Sequence, residues 1–462
     1  MGAGLQYQTI IKYKINATCK EPLHIGNAVG SKEEVLVHPV DDIPFIQAAS
    51  IAGVFRRYCE NIHPGQTEAL FGSRRTDQGT ESEEYGSRIR FEDGRFSQKG
   101  GNCQLELRAR VSIDPVSGTC SKSVVKGTAK ESGHKFEMEY IGAGANVSFA
   151  VYLYDEQFQS VVEEIFAAIN SSEIIFGGQR SNGCGELHID SLKKKIFHMG
   201  NKADRLLWAG EEMMPESEYE DITESLDKIT TSGNAYEISV TGQTEGSLLV
   251  KSVAVTDCGK GAPDSMNVQN AAKDYIVPGS SLKGAIRSQM EKIASYIENE
   301  EVIENTFGKA ADNGEAKCGN IRFYDTIVGK KKENDLVEPS YRIHIDKFTG
   351  GVMQTGLFSE KNVFGDMELR IHISDSNQPE RTLAVLLMAL RDLAAGLVNI
   401  GSGYSVGKGI LVVDQITIKD CRKKVEAKLD MKNNRIKDEK KIIAQCMKTI
   451  QVKGVQQNGI SV

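Results

Sequence analysis

The stretches "PFIQAASIAGVFR", Pro44 to Arg56, and "YIVPGSSLKGAIR", Tyr275 to Arg287, are near-copies of one device. Each sets a small-residue turn directly before a helix that carries an arginine in its second turn. Beyond the turn, Ile51, Val54, Phe55, Tyr58 and Ile62 recur at three-to-four spacing, as do Leu282, Ile286, Met290, Ile293 and Ile297. That period predicts two helices, each with one core-facing side. A chain that makes the same turn twice is best searched for a longer repeat.

Four landmarks recur in one order. Ser50 matches Ser281 at an offset of 231, and "LFG" ending at Gly72 matches "TFG" ending at Gly308 at 236. "RVSID" (Arg110 to Asp114) matches "RIHID" (Arg342 to Asp346) at 232, and "FGGQRSNGCGEL" (Phe176 to Leu187) matches "IGSGYSVGKGIL" (Ile400 to Leu411) at 224. Each half reads alike around them. A β-rich opening is followed by the helix, short strands ("SRIRFEDGRF"; "GNIRFYDTIV"), an excursion, a second helix, a glycine loop and a last strand. The order β-α-β-β-α-β predicts an α+β fold of tandem ferredoxin-like (RRM-like) domains, each with a hairpin insertion. The expected division is a first domain over 1–195, a linker over 196–234, a second domain over 235–415 and a basic tail over 416–462, the tail read as an appended helix after Asp414.

Composition bounds the function. At 462 residues there is room for two or three cores, and no apolar run reaches the roughly 18 residues of a membrane span. The opening residues read as a first strand with no signal segment, so a cytoplasmic protein without membrane insertion is expected. The nine cysteines form no C-x-x-C pair, which points to free thiols. A net charge of −7 argues against a nucleic-acid partner, but the charge is unevenly placed. From Lys419 to Lys453 there are twelve Lys or Arg against five Asp or Glu, whereas Glu211 to Asp227 is almost purely acidic.

Several motifs admit two readings. Ser50 and Ser281 are placed to cap their helices, while a helix start with Gly279 and Ser280 before it, and Lys283 and Arg287 one turn apart, also suits a phosphate. The loops Phe176 to Leu187 and Ile400 to Leu411 hold four glycines each, more than a tight turn needs. Their backbone would approach a polyanion closely, with Arg180, Tyr404 and Lys408 supplying charge or stacking. The excursion Pro115 to Lys135 carries Lys122, Lys126, Lys130 and Lys135 against one Glu131, as a solvated loop or a basic grip. Its counterpart, Lys347 to Lys361, carries Val352, Met353, Leu357 and Phe358 without helical periodicity, a composition suited to wedging between bases.

The combination of "PGSSLKGAIR", "FG" before a strand, "RIHID" before a long hairpin and a closing "GSGYSVGKG" resembles the RAMP superfamily, and within it the backbone subunits of type III CRISPR effector complexes. The resemblance covers about 5–190 and 236–414, and the first half departs from it with Gln47, Ala48 and Ala49 in place of Pro-Gly-Ser. It implies a fused pair of backbone subunits that line up on a guide CRISPR RNA and bind a target RNA. The implied partners are a large polymerase-like subunit, other RAMP subunits and a small helical subunit. The excursions, 115–135 and 347–361, become thumb hairpins that kink the guide–target duplex, so that Lys122, Lys126 and Met353 contact RNA. Ser50, Arg56, Ser280, Ser281, Lys283 and Arg287 of the helix starts would hold the guide backbone. So would Gly177, Gly178, Gln179, Arg180 and Ser181 of the first glycine loop, and Gly401, Ser402, Gly403 and Tyr404 of the second.

The resemblance also implies target cleavage at each kink by a loop aspartate and a divalent metal, Mg2+ or Mn2+. About fourteen residues before Pro278 stands Asp264, which would carry the cut and the metal; the same count from Gln47 reaches Glu33, one methylene longer. Asp257, Asp274, Asp41 and Asp42 compete nearby. RNA carries its own nucleophile in the 2′-hydroxyl, so a kinked, in-line geometry with one carboxylate or metal is sufficient chemistry. Two alternatives stand beside this reading: the same scaffold without catalysis, and a duplicated ferredoxin-like protein that binds a small anionic ligand.

Overall fold

The computed structural model describes residues 7–26, 33–73, 86–97, 103–114, 122–124, 131–133, 135–231, 233–252, 263–309, 316–329 and 337–450. Among them two compact units are found. One comprises the residues up to Leu105 with Tyr140–Arg180 and Cys184–Gly233; the other takes Glu106–Glu139, Ser181–Gly183 and the residues from Asn234 onward.

Along the first half of the chain the elements are β1 (Thr9–Cys19), α1 (Ala48–Ile62), β2 (Ile89–Phe91), β3 (Gly94–Phe96), a ribbon of β4 (Leu105–Val111) and β5 (Lys135–Ile141), whose residues from Glu106 to Glu139 group with the second unit, then β6 (Asn146–Leu153), α2 (Gln159–Asn170), β7 (Leu187–His198), α3 (Lys202–Ala209) and β8 (Glu220–Asp221). Sheet order is β8-β7-β1-β6-β3, with β2 also on β6, and the pairs are antiparallel. Alternation decides the faces. Ile11, Tyr13 and Ile15 of β1 point to a core shared with Ile51 and Phe55 of α1 and Val162, Ile165 and Phe166 of α2. Each such burial is worth about 1.5–3 kcal/mol. Lys12, Lys14 and Asn16 take the opposite face.

The second unit repeats the order with β9 (Asn234–Glu245), α4 (Gly279–Tyr296), β10 (Ile321–Phe323), β11 (Val337–Ile345), β12 (Val352–Val363), β13 (Asp366–Ser374), α5 (Pro379–Ala394), β14 (Ile410–Asp420), β15 (Val425–Asp430), β16 (Arg435–Lys437) and α6 (Ile442–Met447). Its sheet runs β10-β13-β9-β14-β15-β16. Both units therefore have the same central order, last strand, first strand, third, second, as the tandem ferredoxin-like α+β reading requires. Leu282, Ile286 and Met290 of α4 and Leu383, Leu386 and Leu390 of α5 fill its core.

Two expectations are corrected. The tail is not an appended helix: β14 runs unbroken through Asp414, and β15 and β16 extend the sheet edge. Its helix, α6, is six residues long and buries Ile442 and Cys446 in the core, because the basic residues lie on the outer positions of the hairpin. The stretch expected as a linker is likewise folded onto the first unit: α3 supplies Trp208 to a small cluster with Ile10, Phe197, Met214 and Tyr219, and β8 pairs with β7. Among the described residues no helix is long and apolar enough to cross a membrane.

Candidate nucleic-acid interface

The helix starts are built alike, and not as serine caps. α1 begins after Gln47 and α4 after Pro278, neither cap residue makes a side-chain cap bond, and Ser50 and Ser281 sit inside the first turn as third helical residues. The first helical N–H is taken by an aspartate from the following hairpin. Ala48 N–H donates to Asp93 Oδ1 at 2.7 Å, and Gly279 N–H donates to Asp325 Oδ1 at 2.8 Å. A carboxylate at a helix N-terminus satisfies an orphan donor and the helix dipole together. These aspartates were missed from sequence, although "IRFEDG" and "IRFYDT" align at the offset of the other landmarks. Gly279 is needed for closeness: a Cβ there would stand 2.1 Å from the Phe323 carbonyl oxygen.

In the second unit Asp325 belongs to a longer chain of polar contacts. Its Oδ2 lies 2.7 Å from Arg108, Arg108 Nε donates to Glu106 at 2.9 Å, and Glu106 accepts from Ala271 N–H at 2.7 Å. Glu106 and Arg108 are buried. Beside this chain lies a cluster of cations. Lys283 Nζ donates to Ser181 Oγ at 2.7 Å, and burial, with Arg287 and Arg110 nearby, pushes its ammonium down to about 8. Lys283, Arg287 and Ser181 were expected to bind RNA; Arg110 was noted only as a landmark of the repeat. Arg287 pairs with Glu291 at 2.7 Å, and Arg56 pairs with Glu60 at 3.1 Å in the same register. Residue 52, the counterpart of Lys283, is alanine.

The glycine loops hold their own backbone together. Phe176 N–H donates to Gly185 O at 2.9 Å and Ile400 N–H to Gly409 O at 2.8 Å. Gly178 N–H donates to His24 O, and Ser402 N–H to Leu249 O, both at 2.9 Å. Gly177 and Gly401 have φ of +68° and +82°, and a Cβ on them would meet those same carbonyls at 2.2 and 2.6 Å. Close backbone approach thus accounts for glycines that sequence assigned to a ligand. Arg180 Nε donates to Gly177 O at 3.3 Å; Gln179 has a left-handed φ of 59°. Gly403 takes φ of +87° and Tyr404 is exposed. Lys408 is not a loop cation: it is buried and bonds Glu360 at 2.6 Å and Asn362 at 2.7 Å.

Asp264 is exposed and docked. Its Oδ2 accepts from Ser359 N–H at 2.7 Å and Ser359 Oγ–H at 3.0 Å, which hold its carboxyl below the usual carboxylate range. Ser359 lies on β12, so the loop is pinned to the base of the second ribbon. Glu33 is exposed in a turn of the first unit, with 27–32 outside the described residues. Asp274 bonds Asn270, Asp41 faces His38 and Arg95, and Asp257 lies outside the described residues. Among the described residues no three His, Cys, Asp or Glu side chains converge to hold a metal ion. A single carboxylate already accepting two hydrogen bonds does not fit the expected metal.

The second thumb is longer than expected. It is the whole β11–β12 ribbon, turning where Asp346 accepts from Phe348 and Thr349 N–H. Tyr341, Ile343 and Ile345 alternate along β11, and Val352 and Leu357 pair opposite the last two; all five are exposed, as is Met353. In the first ribbon Leu105, Leu107, Val111 and Ile113 alternate in the same way and are exposed. Lys122 begins a short strand that pairs with Glu131–Gly133, and Lys126 lies outside the described residues.

Comparison with known proteins agrees with this duplication. Among curated proteins no relative matches the chain. Among solved structures, a chain of the type III-B Cmr-beta complex bound to cognate target RNA, determined by cryo-electron microscopy, matches with 14% identity and a TM-score of 0.30, over 40% of this chain and 61% of that one. The match thus spans less than two thirds of that protein's length. The RAMP superfamily model matches residues 16–188 and 255–412, more than half of the sequence and one region in each half. With a helix start, a glycine loop and an exposed ribbon in both regions, the chain belongs to the RAMP superfamily and carries two fused copies of its fold.

Proposed function

We propose that the chain is a backbone subunit of a type III CRISPR effector complex, one that grips guide RNA and presents two apolar ribbons to the guide–target duplex. The observation that carries this reading is the cluster of Lys283, Arg287 and Arg110 at the start of α4. Lys283 is held in place by a neutral hydroxyl, desolvated, and repelled by two guanidinium groups. A fold gains nothing from such a lysine; a phosphate placed there would relieve it. Ser181, from the first glycine loop, stands beside it, and the exposed ribbon faces suit unstacked bases. Guide RNA, target RNA, the large polymerase-like subunit, further RAMP subunits and the small helical subunit are the partners this reading entails, in the cytoplasm.

Lys283→Met tests it. RNA copurifying with the full chain should fall several-fold, while stability rises by about 1–3 kcal/mol because an unfavourable buried charge is gone. Opposite signs mark a residue kept for a ligand. Unchanged RNA content would remove the cluster from the interface, and an RNA-free wild-type preparation that binds inorganic phosphate would move the reading to a small anionic ligand.

A second reading, target cleavage, is favoured by one observation: Asp264 is an exposed carboxylate, kept ionised and fixed by Ser359 at the ribbon's base. In such a cut the 2′-hydroxyl attacks its own phosphate, the carboxylate takes the hydroxyl proton, and the 5′-oxygen leaves, giving a 2′,3′-cyclic end. A divalent ion would offset charge at the phosphate, but the described residues make no site for one, and no step here depends on it. Asp264→Asn should keep RNA binding and lose one band on a denaturing gel; Glu33→Gln tests the equivalent position in the first unit. Cleavage at every position by Asp264→Asn would separate Asp264 from the cut, and a wild-type chain that cuts at no position would leave the scaffold reading alone.

A further inference from the structure

The open face of the first unit's sheet is strongly basic. Lys12 and Lys14 on β1 stand opposite Lys195 and Lys193 on β7, and Arg95 joins them from β3. Residues two apart on one strand are about 7 Å apart on the same face, so these side chains form a lattice of charge. The fold does not require it. In the second unit the outward positions of the matching central strand are Glu237, Ser239 and Thr241, opposite Lys419, Thr417 and Gln415.

The acidic segment that follows α3 lies along this lattice. Glu211 is 3.1 Å from Lys12, Glu216 pairs with Lys193, and Glu218 is 3.1 Å from Lys195. The fit is incomplete. Lys14 faces the ring of Tyr219 at 4.2 Å and, among the described residues, makes no ion pair, with Glu211 and Glu216 acting on it only from farther off. Burial and the neighbouring Lys12 and Lys193 push its ammonium down. The Tyr219 hydroxyl is buried and, among the described residues, has no hydrogen-bond partner. A cavity of about 650 Å³ remains beside the segment, where Lys12, Lys14, Arg95 and Lys193 face Glu92 and Asp93 at one rim and the segment's own Glu216.

We infer that this sheet face is a second RNA site, for the backbone of a single strand, and that the chain's own segment from Glu211 to Asp221 covers it as a polyanion mimic. The segment supplies carboxylates where phosphates would sit, and leaves the central lysine and a polar cavity for the ligand that displaces it. The choice of RNA as ligand rests on the reading above; the covered basic face does not.

The test uses the full chain carrying Lys283→Met and Arg287→Gln, so that gains belong to the first unit, and a labelled 20-nucleotide oligouridine read by fluorescence anisotropy. Glu211→Gln, Glu216→Gln and Glu218→Gln together should tighten binding about tenfold at low salt and steepen the log–log salt slope by about two, as three lysines are freed for phosphates. Adding Lys14→Ala should return part of the gain. Glu216→Gln alone, with a side chain 69% exposed and no part in the core, should shift both quantities the same way by less. It decides the matter if the triple variant does not fold. Glu298→Gln, Glu300→Gln and Glu301→Gln, which change net charge equally at exposed positions elsewhere, should change neither. Unchanged affinity and slope in the triple variant and in Glu216→Gln, or an equal gain in the control, overturns the proposal.

Discussion

The two units share their local contacts and differ in the charges placed around them. Ala48 with Asp93 and Gly279 with Asp325, Phe176 with Gly185 and Ile400 with Gly409, Arg56 with Glu60 and Arg287 with Glu291 repeat atom for atom. Yet Lys283 has alanine as its counterpart, and the lysine lattice of the first sheet has glutamate and hydroxyls in the second. Contacts that set where a strand, loop or helix begins tolerate little change, since each satisfies a backbone group that has no other partner. Outward side chains are free to diverge. The two copies therefore share an architecture and differ in the charges that they carry on it.

The largest break in this symmetry is expected at the helix-start aspartates. Asp93 is an exposed cap, and Asp93→Ala should cost about 1 kcal/mol. Asp325 also neutralises Arg108, whose side chain is only 6% exposed. Asp325→Ala takes one carboxylate partner from that buried guanidinium, a loss on the order of 3 kcal/mol or more. Calorimetric melts of the full chain should show a drop several times larger for Asp325→Ala, matched by Arg108→Ala. Equal, small shifts for the two aspartates would mean that the polar chain around Arg108 carries no stability.

Glycine substitutions come next, and here the units should behave the same. Gly177→Ala and Gly401→Ala each force a left-handed residue and push a Cβ onto a carbonyl oxygen, at an expected cost of about 1–3 kcal/mol. Gly178 has an ordinary φ and is exposed, so Gly178→Ala should stay within about 0.5 kcal/mol. It is thus the cleaner probe of RNA contact, because a loss of binding there has no structural excuse. Gly177→Ala that melts like wild type would contradict the close approach to His24.

Periodicity and the repeat made much of the fold legible. Ile51, Phe55, Leu282 and Ile286 are core residues because three-to-four spacing puts them on one side, and the strand order follows from the β-α-β-β-α-β succession. What composition hid was local. The basic count after Lys419 suggested a helix, but alternation in "VEAKLD" and "RIK" continues a sheet edge. Four glycines in a loop look the same in sequence whether they approach a phosphate or a neighbouring carbonyl. The site was partly legible: Lys283, Arg287 and Ser181 come together, whereas Arg108 and Asp325 matter through contacts between segments more than two hundred residues apart. Lys408 reads as a loop cation until the half-buried Glu360 beside it is seen.

The smallest effect expected is a pH dependence at the helix start, which only the second unit's copy of that start carries. Lys283 is pushed down to about 8 in the free protein, and a phosphate beside it would raise that value toward the ordinary lysine range. Below about pH 7 the ammonium is protonated with or without RNA, so affinity should be flat. Between the free and bound values the complex holds more protons than its parts, and binding weakens as pH rises. From pH 7 to 9 the loss should be about tenfold at most, or roughly 1.4 kcal/mol. Lys14 also titrates below the ordinary range, so the profile is best read in a Lys14→Ala background. There Lys283→Met should give a lower but pH-independent affinity, and Ala52, the matching position in the first unit, offers nothing that titrates. A wild-type profile that keeps its slope after Lys283→Met would assign the proton to another group and separate the lysine from the phosphate.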